Sequence, residues 1–420
     1  RLWELYTGIE APAIPVLAEM ELTGMKLDPV LLHDFTQQYE TKMQSVLAEL
    51  QSLGLSGTPS KDSDLRQFLF DELGLPVLVR TEKTLRSSVA LDVLRRLLLL
   101  RDTLPAKSVR VLELLIEWSE TEKAHNTFLS PYDSQGIDTI YSTISQTSTI
   151  TGRLSSSPNI QNIPARGWRA EIRRMFVAPE GYELCDADLA QIEPRVLAHL
   201  SQDSRMLDDF RSGRDSYQSL GLDMGFLIEQ LGKHSDLRTT IKIIYLADAY
   251  GTSPLKMQEI GIRLVNYMSL SEARSIQTGI RQVRPEFIAW RREIIERARR
   301  DGEVRDMFGR RRFVGGLHSI DPATRQATER EVSNFPEQSG AGGIIKGAMP
   351  AVHKLFKQVG GIGLIDQVHD ELLGPVRKMT ASDKEEFKRE LIKRMTQVKL
   401  SVPLEVEVGY GSNWQEEKGG

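Results

Sequence analysis

The chain has 420 residues, 40% hydrophobic and 27% charged, with a formal net charge of −4 and a single cysteine. This is the composition of a globular protein with core enough for two to four subdomains; it excludes a disordered chain and a disulfide-stapled scaffold. The longest apolar run, Leu97–Leu100, is boxed by Arg95, Arg96 and Arg101, far short of the roughly 20 residues of a membrane span. Opening on Arg1 rather than Met, the chain reads as a fragment or a processed product. A net acidic protein does not announce a polyanion partner, yet residues 281–312 hold eleven Arg against six Asp or Glu. That segment fits either a basic channel or a solvated helix face.

Taken in order, residues 1–29 mix apolar residues with Pro12 and Pro15. From Pro29 to Leu53, Phe35, Tyr39, Met43, Val46, Leu47 and Leu50 recur at helical spacing. A second helix opens at Ser60 and ends before Gly74 and Pro76, a third runs from Ser87 or Ser88 to Leu100, and a longer one from Ala106 to Leu129. Thr81, Lys83, Thr84, Arg86 and Ser87 cluster ahead of the third helix, a composition that suits phosphate contact or simple capping. Residues 137–150 alternate Ile with Thr, Ser and Tyr and predict strands. The polar loop that follows, Thr151 to Pro164, carries Arg153, Asn159, Gln161 and Asn162, residue types that read base edges and sugars or satisfy one another.

The stretch Tyr182 to Arg195 reads as a short strand that delivers Asp188 to a strand-to-helix corner, with Pro194 in the first turn of the helix that follows. Helix dominates residues 196–350. Within it Arg238, Lys242, Leu246 and Tyr250 are each four apart, one face of a helix that Gly251 ends. Two cations followed by an apolar and an aromatic residue suit a triphosphate with a stacked base, and equally an amphipathic surface helix. Residues 351–374 read strand, turn, strand, with Gly360-Gly361 leading into Ile362–Ile365 and Val368–Leu373 following around His369 and Asp370; a helix spans Ser382–Leu400, and Val402–Val408 alternates as an edge strand. One Asp cannot chelate two cations, so Asp188 needs a second carboxylate. Asp370, about 180 residues on, is the best candidate.

Together these stretches resemble the polymerase region of family A DNA polymerases, the bacterial DNA polymerase I type, of bacterial or viral source. The resemblance is carried by Asp188-Leu-Ala-Gln191-Ile-Glu193-Pro-Arg195, by Arg238…Lys242…Tyr250-Gly251, by Val368-His369-Asp370-Glu371, and by Thr151-Gly-Arg153 with Gln161-Asn162, all in family order. It implies an α+β right-hand fold, with helical thumb and fingers around an antiparallel palm sheet. The implied parts are a lead-in to the palm at residues 1–29, a thumb at 30–125, palm at 126–195 and 351–420, and fingers at 196–350. It also implies a template-directed DNA polymerase that adds dNTPs to a primer 3′-hydroxyl, as a monomer, in the cytoplasm of a bacterial or phage-infected cell. No acidic exonuclease motif precedes residue 30, so proofreading is not expected.

The same resemblance implies two Mg²⁺, with Mn²⁺ as a substitute, about 3.5–4 Å apart. Asp188, Asp370 and the carbonyl of Leu189 would be ligands, and Glu371 would stand behind them. Arg238 and Lys242 would grip the triphosphate, and Lys242 would protonate the leaving pyrophosphate. Gln191, Arg166, Tyr217, Leu246 and Tyr250 fall at nucleotide-binding positions, and Glu193 beneath the sugar, where it excludes a 2′-hydroxyl. Arg153, Gln161, Asn162, Asn334, Gln338 and His369 match duplex contacts near the primer terminus. Leu246 stands where most relatives have Phe or Tyr, Tyr217 where many have a phosphate-contacting His, and Ala247 where Gly is usual. Asp186 shares a strand face with Asp188 and reads as a partly solvated neighbour, not a ligand. Three alternatives stay open: a catalytically silent DNA-binding protein on the same fold, an enzyme that also copies an RNA template, and a metal nuclease.

Overall fold

A computed structural model of the chain describes residues 2–81, 85–164, 168–232, 235–249, 251–252, 257 and 269–416. It divides into two units, residues 1–28, 138–253 and 275–420 in one, and 29–137 and 254–274 in the other.

The second unit is helical because its apolar residues recur every three or four positions. The helix Pro29–Ser52 buries Phe35, Tyr39, Val46 and Leu50 on one stripe, and the helix Ala106–Ala124 answers with Val111, Leu112, Leu115 and Trp118. Phe68, Leu69, Val93, Leu94 and Leu97 fill the space between. The third helix starts later than its sequence predicts, at Leu91. Arg80 and Thr81 pair instead with Ser87 and Arg86, through a bridge between Arg80 and Ser87 and a Thr81 N–H bond to the Arg86 carbonyl (2.8 Å). Lys83 and Thr84 lie outside the described residues.

The first unit is built on a four-stranded antiparallel sheet. Its strands are β1 (Tyr182–Leu189), β2 (Asp366–Val368), β3 (Glu371–Arg377) and β4 (Val406–Gly411), in the order β4-β1-β3-β2. Alternation gives β1 two unlike faces. Cys185, Ala187 and Leu189 join Leu372, Val376, Val406 and Val408 against two helices, α4 (Pro322–Gln358) and α5 (Ala381–Met395). Register puts Asp186, Asp188, Glu371, Asp366 and Glu407 on the opposite face. The architecture is α+β, with the antiparallel sheet that the resemblance implies.

Three further helices place side chains near the sheet: α1 (Ile192–Ser201), α2 (Ser216–Asp223) and α3 (Asp236–Ala249). Residue 350, offered above as a boundary, lies inside α4. The segment 362–365 is not a strand, the last helix stops at Met395, and the edge strand begins at Val406. Short strands at Thr139–Ile140 and Thr143–Ser145 replace the longer ones expected over 137–150.

Part of the Arg-rich stretch 281–312 is tied into the protein by ion pairs. Arg284 is buried among Asp203, Asp209 and Asp223, Arg299 pairs with Glu296 and Glu329, Arg310 with Glu10, and Arg312 with Glu331. Arg281, Arg292, Arg297, Arg300, Arg305 and Arg311 are exposed.

Candidate active site

The sheet brings together two carboxylates that are far apart in sequence. Asp188 sits near the end of β1, directly opposite Glu371 of β3. The β2–β3 hairpin closes with only His369 and Asp370 in its turn, and the Leu189 N–H donates to the Asp370 carbonyl at 3.0 Å. A two-residue turn needs left-handed backbone, and His369 supplies it with φ 55°. Asp370 is thereby held beside the strand end that carries Asp188 and Leu189. Burial, then the Glu193 and Asp188 carboxylates, push the Asp370 carboxyl up to about 7, with Arg153 acting against them.

These residues fit a divalent cation. An acid raised by neighbouring carboxylates is what a nearby positive charge relieves. No group of three or more His, Cys, Asp or Glu capable of caging a metal occurs among the described residues. Mg²⁺ keeps waters and substrate oxygens in its shell and takes few protein ligands, so two carboxylates and a carbonyl are a sufficient donor set.

Glu371, on the same face, is engaged by Trp414. It is buried, and the Trp414 Nε1–H donates to its Oε1 at 2.7 Å. Trp414 is fixed by an edge-on Phe176 (centroids 5.4 Å, 88°) and by the Arg173 guanidinium 4.1 Å above its ring. Trp414 and Arg173 escaped the sequence reading; the one available signal was a Trp inside the polar tail Gly411-Ser412-Asn413. Asp186 is buried, not partly solvated as expected, because this segment covers its face of the sheet.

The corner after β1 is braced from several sides. Gln191 takes a left-handed backbone (φ 52°), and its Oε1 accepts from Ser216 Oγ at 2.9 Å, so its amide oxygen serves α2. Arg195 is buried and donates to the carbonyls of Ala190 (2.8 Å) and Pro403 (2.5 Å). Glu193 is ion-paired with Arg153, which lies across α4 at Gly342, where a Cβ would stand 3.1 Å from Arg153 Cγ. Gln338 and Asn334 lie one and two turns before Gly342 on the same helical face. Gln161 is buried, and its amide nitrogen donates to the Gln367 carbonyl at 2.6 Å. It anchors β2, whereas Asn162 and His369 are exposed.

Arg238, Lys242 and Leu246 fall on one stripe of α3, as their spacing requires. Arg238 is paired with Asp215 (Nε to Oδ2, 3.0 Å), and Asp215 also caps α2 by accepting from the Tyr217 and Gln218 N–H groups. Tyr217 lies beneath this stripe. It is only 3% exposed, edge-on to Tyr245, and it turns its ring to Arg238 (5.5 Å) and Lys242 (5.4 Å). A buried phenol beneath two cations is a cation–π floor rather than a surface hydroxyl donor. Arg166 and Tyr250 lie outside the described residues.

The profile of DNA polymerase family A matches residues 30–416. The chain belongs to the family A DNA polymerases. Among its family A relatives, the thermostable DNA polymerase I of Thermus filiformis is 37% identical over 99% of this chain and 49% of its own length. The DNA polymerase I of Pseudomonas aeruginosa is 34% identical over 99% of this chain and 44% of its own. The chain thus spans about half the length of these two relatives. Among solved family A structures, the POL domain of Pol1 from M. smegmatis in complex with DNA primer-template and dNTP superposes with a TM-score of 0.85. It shares 30% identity and covers 99% of this chain and 71% of that one. No helix among the described residues is long and apolar enough to cross a membrane.

Proposed function

We propose that this protein is a template-directed DNA polymerase that joins dNTPs to a primer 3′-hydroxyl and releases pyrophosphate. The observation that carries the reading is the register of β1 against the β2–β3 hairpin, which sets Asp188 beside Asp370 at one end of the sheet. In this reading residues 30–125 are the thumb, 196–350 the fingers, and the sheet with its flanking segments the palm.

Asp188, Asp370 and the Leu189 carbonyl would hold the divalent cations, Mg²⁺ or Mn²⁺. When bound, these supply positive charge against the attacking and leaving oxygens of an in-line displacement. The chain's own groups do the rest. Arg238 and Lys242 present two cations one helical turn apart, a spacing that grips a polyphosphate and leaves Lys242 placed to give a proton to the departing pyrophosphate. The Tyr217 ring beneath them limits where they can point. Leu246, next along the stripe, packs against the incoming sugar and base, and Glu193 stands where a 2′-hydroxyl would clash. Arg153, Asn162, Asn334, Gln338 and His369 would line the primer–template duplex and read the minor-groove acceptors common to all base pairs.

Primer extension tests the reading. With Mg²⁺, the protein should extend a DNA primer on a DNA template with dNTPs and reject rNTPs. A protein that binds primer–template but adds no nucleotide refutes it. An RNA-template arm of the same assay decides the reverse-transcriptase alternative.

A further inference from the structure

Helix α4 carries a carboxyl that the reaction described above does not use. Glu337 is 1% exposed, and its Oε1 is buried without a hydrogen-bond partner. Such an orphan is destabilising, and an apolar residue at the same helical position would avoid it. Its surroundings explain where it looks. One turn on, Gly340 closes onto Val196 of α1, with a Cβ there standing 3.1 Å from Val196 Cγ1, and Gly342 closes onto Arg153. Glu337 therefore lies where α1, α4 and the Arg153 loop converge. The charges that act on it are those of Glu193 and Arg153, and burial together with Glu193 pushes its pKa well above the ordinary carboxylate range. Its charge also reaches the buried phenols of Tyr217 and Tyr245.

Arg153 has one guanidinium and two duties. Here it neutralises Glu193, whereas the proposed function sends it to the duplex. When it turns away, Glu193 is left beside Asp370 with its counter-charge withdrawn. We propose that Glu337 is a positioning residue for sugar selection, giving the Glu193 carboxylate a second hydrogen-bonding partner when Arg153 turns to the primer–template. The inference rests on the polymerase reading. Glu337 keeps its proton and donates its O–H to Glu193, a charge-assisted bond of the strong kind. No bond is made or broken in the substrate, and Glu337 never touches the sugar. The bond keeps Glu193 upright at the spot where a 2′-hydroxyl would enter.

The test measures kcat/KM for a dNTP over the matching rNTP in wild type, Glu337→Leu and Glu337→Gln. Glu337→Gln retains an N–H donor and should keep selectivity within about twofold of wild type. Glu337→Leu should lose roughly five- to tenfold, the worth of one hydrogen bond, through faster rNTP insertion with dNTP insertion retained. In a Glu193→Ala background, Glu337→Leu should change nothing further. Glu337→Met provides the same apolar arm should Glu337→Leu not fold. Unchanged selectivity in the apolar variants, equal loss in Glu337→Gln, or a full additional loss in the Glu193→Ala background overturns the inference. A wild-type protein that extends no primer fails the polymerase reading itself.

Discussion

Asp366 offers a test of the palm sheet that needs no substrate. The side chain is 2% exposed; Oδ1 accepts from the Gln367 N–H at 2.8 Å, and Oδ2 is buried without a partner. Burial, with the Glu371 carboxylate adding to it and the Gln367 N–H and Arg173 opposing, pushes its pKa up to about 7 from an ordinary 3.8. At 1.36 kcal/mol per tenfold step, carrying the charge costs the folded state on the order of 4 kcal/mol. The folded pKa lies above the unfolded one, so folding takes up a proton between about pH 4 and pH 7. The penalty is absent below pH 4, grows as pH rises through that window and is complete above 7. Asp366→Asn resembles the neutral acid in shape and cannot ionise. Urea unfolding from pH 4 to pH 8 should therefore show the variant gaining on wild type as pH rises, by as much as about 4 kcal/mol at pH 8. A pH-independent difference, or a variant less stable than wild type at pH 8, refutes the reasoning.

Trp414→Phe keeps the ring against Phe176 but removes the N–H from Glu371. It should lower stability by about 1–3 kcal/mol and raise the Mg²⁺ concentration needed for half-maximal extension. An unchanged melting temperature together with an unchanged Mg²⁺ titration would show the bond to be idle. Leu246→Tyr should lower discrimination against dideoxynucleotides by roughly tenfold, about 1.4 kcal/mol in the transition state. Incorporation ratios from single-nucleotide insertion decide it, and an unchanged ratio removes Leu246 from the sugar site.

What could be read in advance follows from which interactions are local. The helix Pro29–Ser52 and the α3 stripe were legible because helical periodicity shows in sequence. Asp188 and Asp370 were legible as a pair because each sits in a short dense motif, even though only sheet register joins them. The failures are long-range. Nothing near Tyr217 announces that Tyr245 and two cations enclose its ring. The Gln161 amide looked like a base reader because its acceptor, the Gln367 carbonyl, lies 206 residues away. In the Arg-rich segment, too, a partner can be remote, as Glu10 is for Arg310. Strand ends such as 362–365 depend on pairing with neighbours rather than on β-propensity.

The central claim is that β1 and the β2–β3 hairpin assemble one metal-binding carboxylate pair for nucleotide transfer. Its most direct test is single-turnover primer extension by Asp370→Ala beside its primer–template affinity. The account predicts that extension is lost while DNA binding stays near the wild-type level. Extension at an undiminished rate would contradict it.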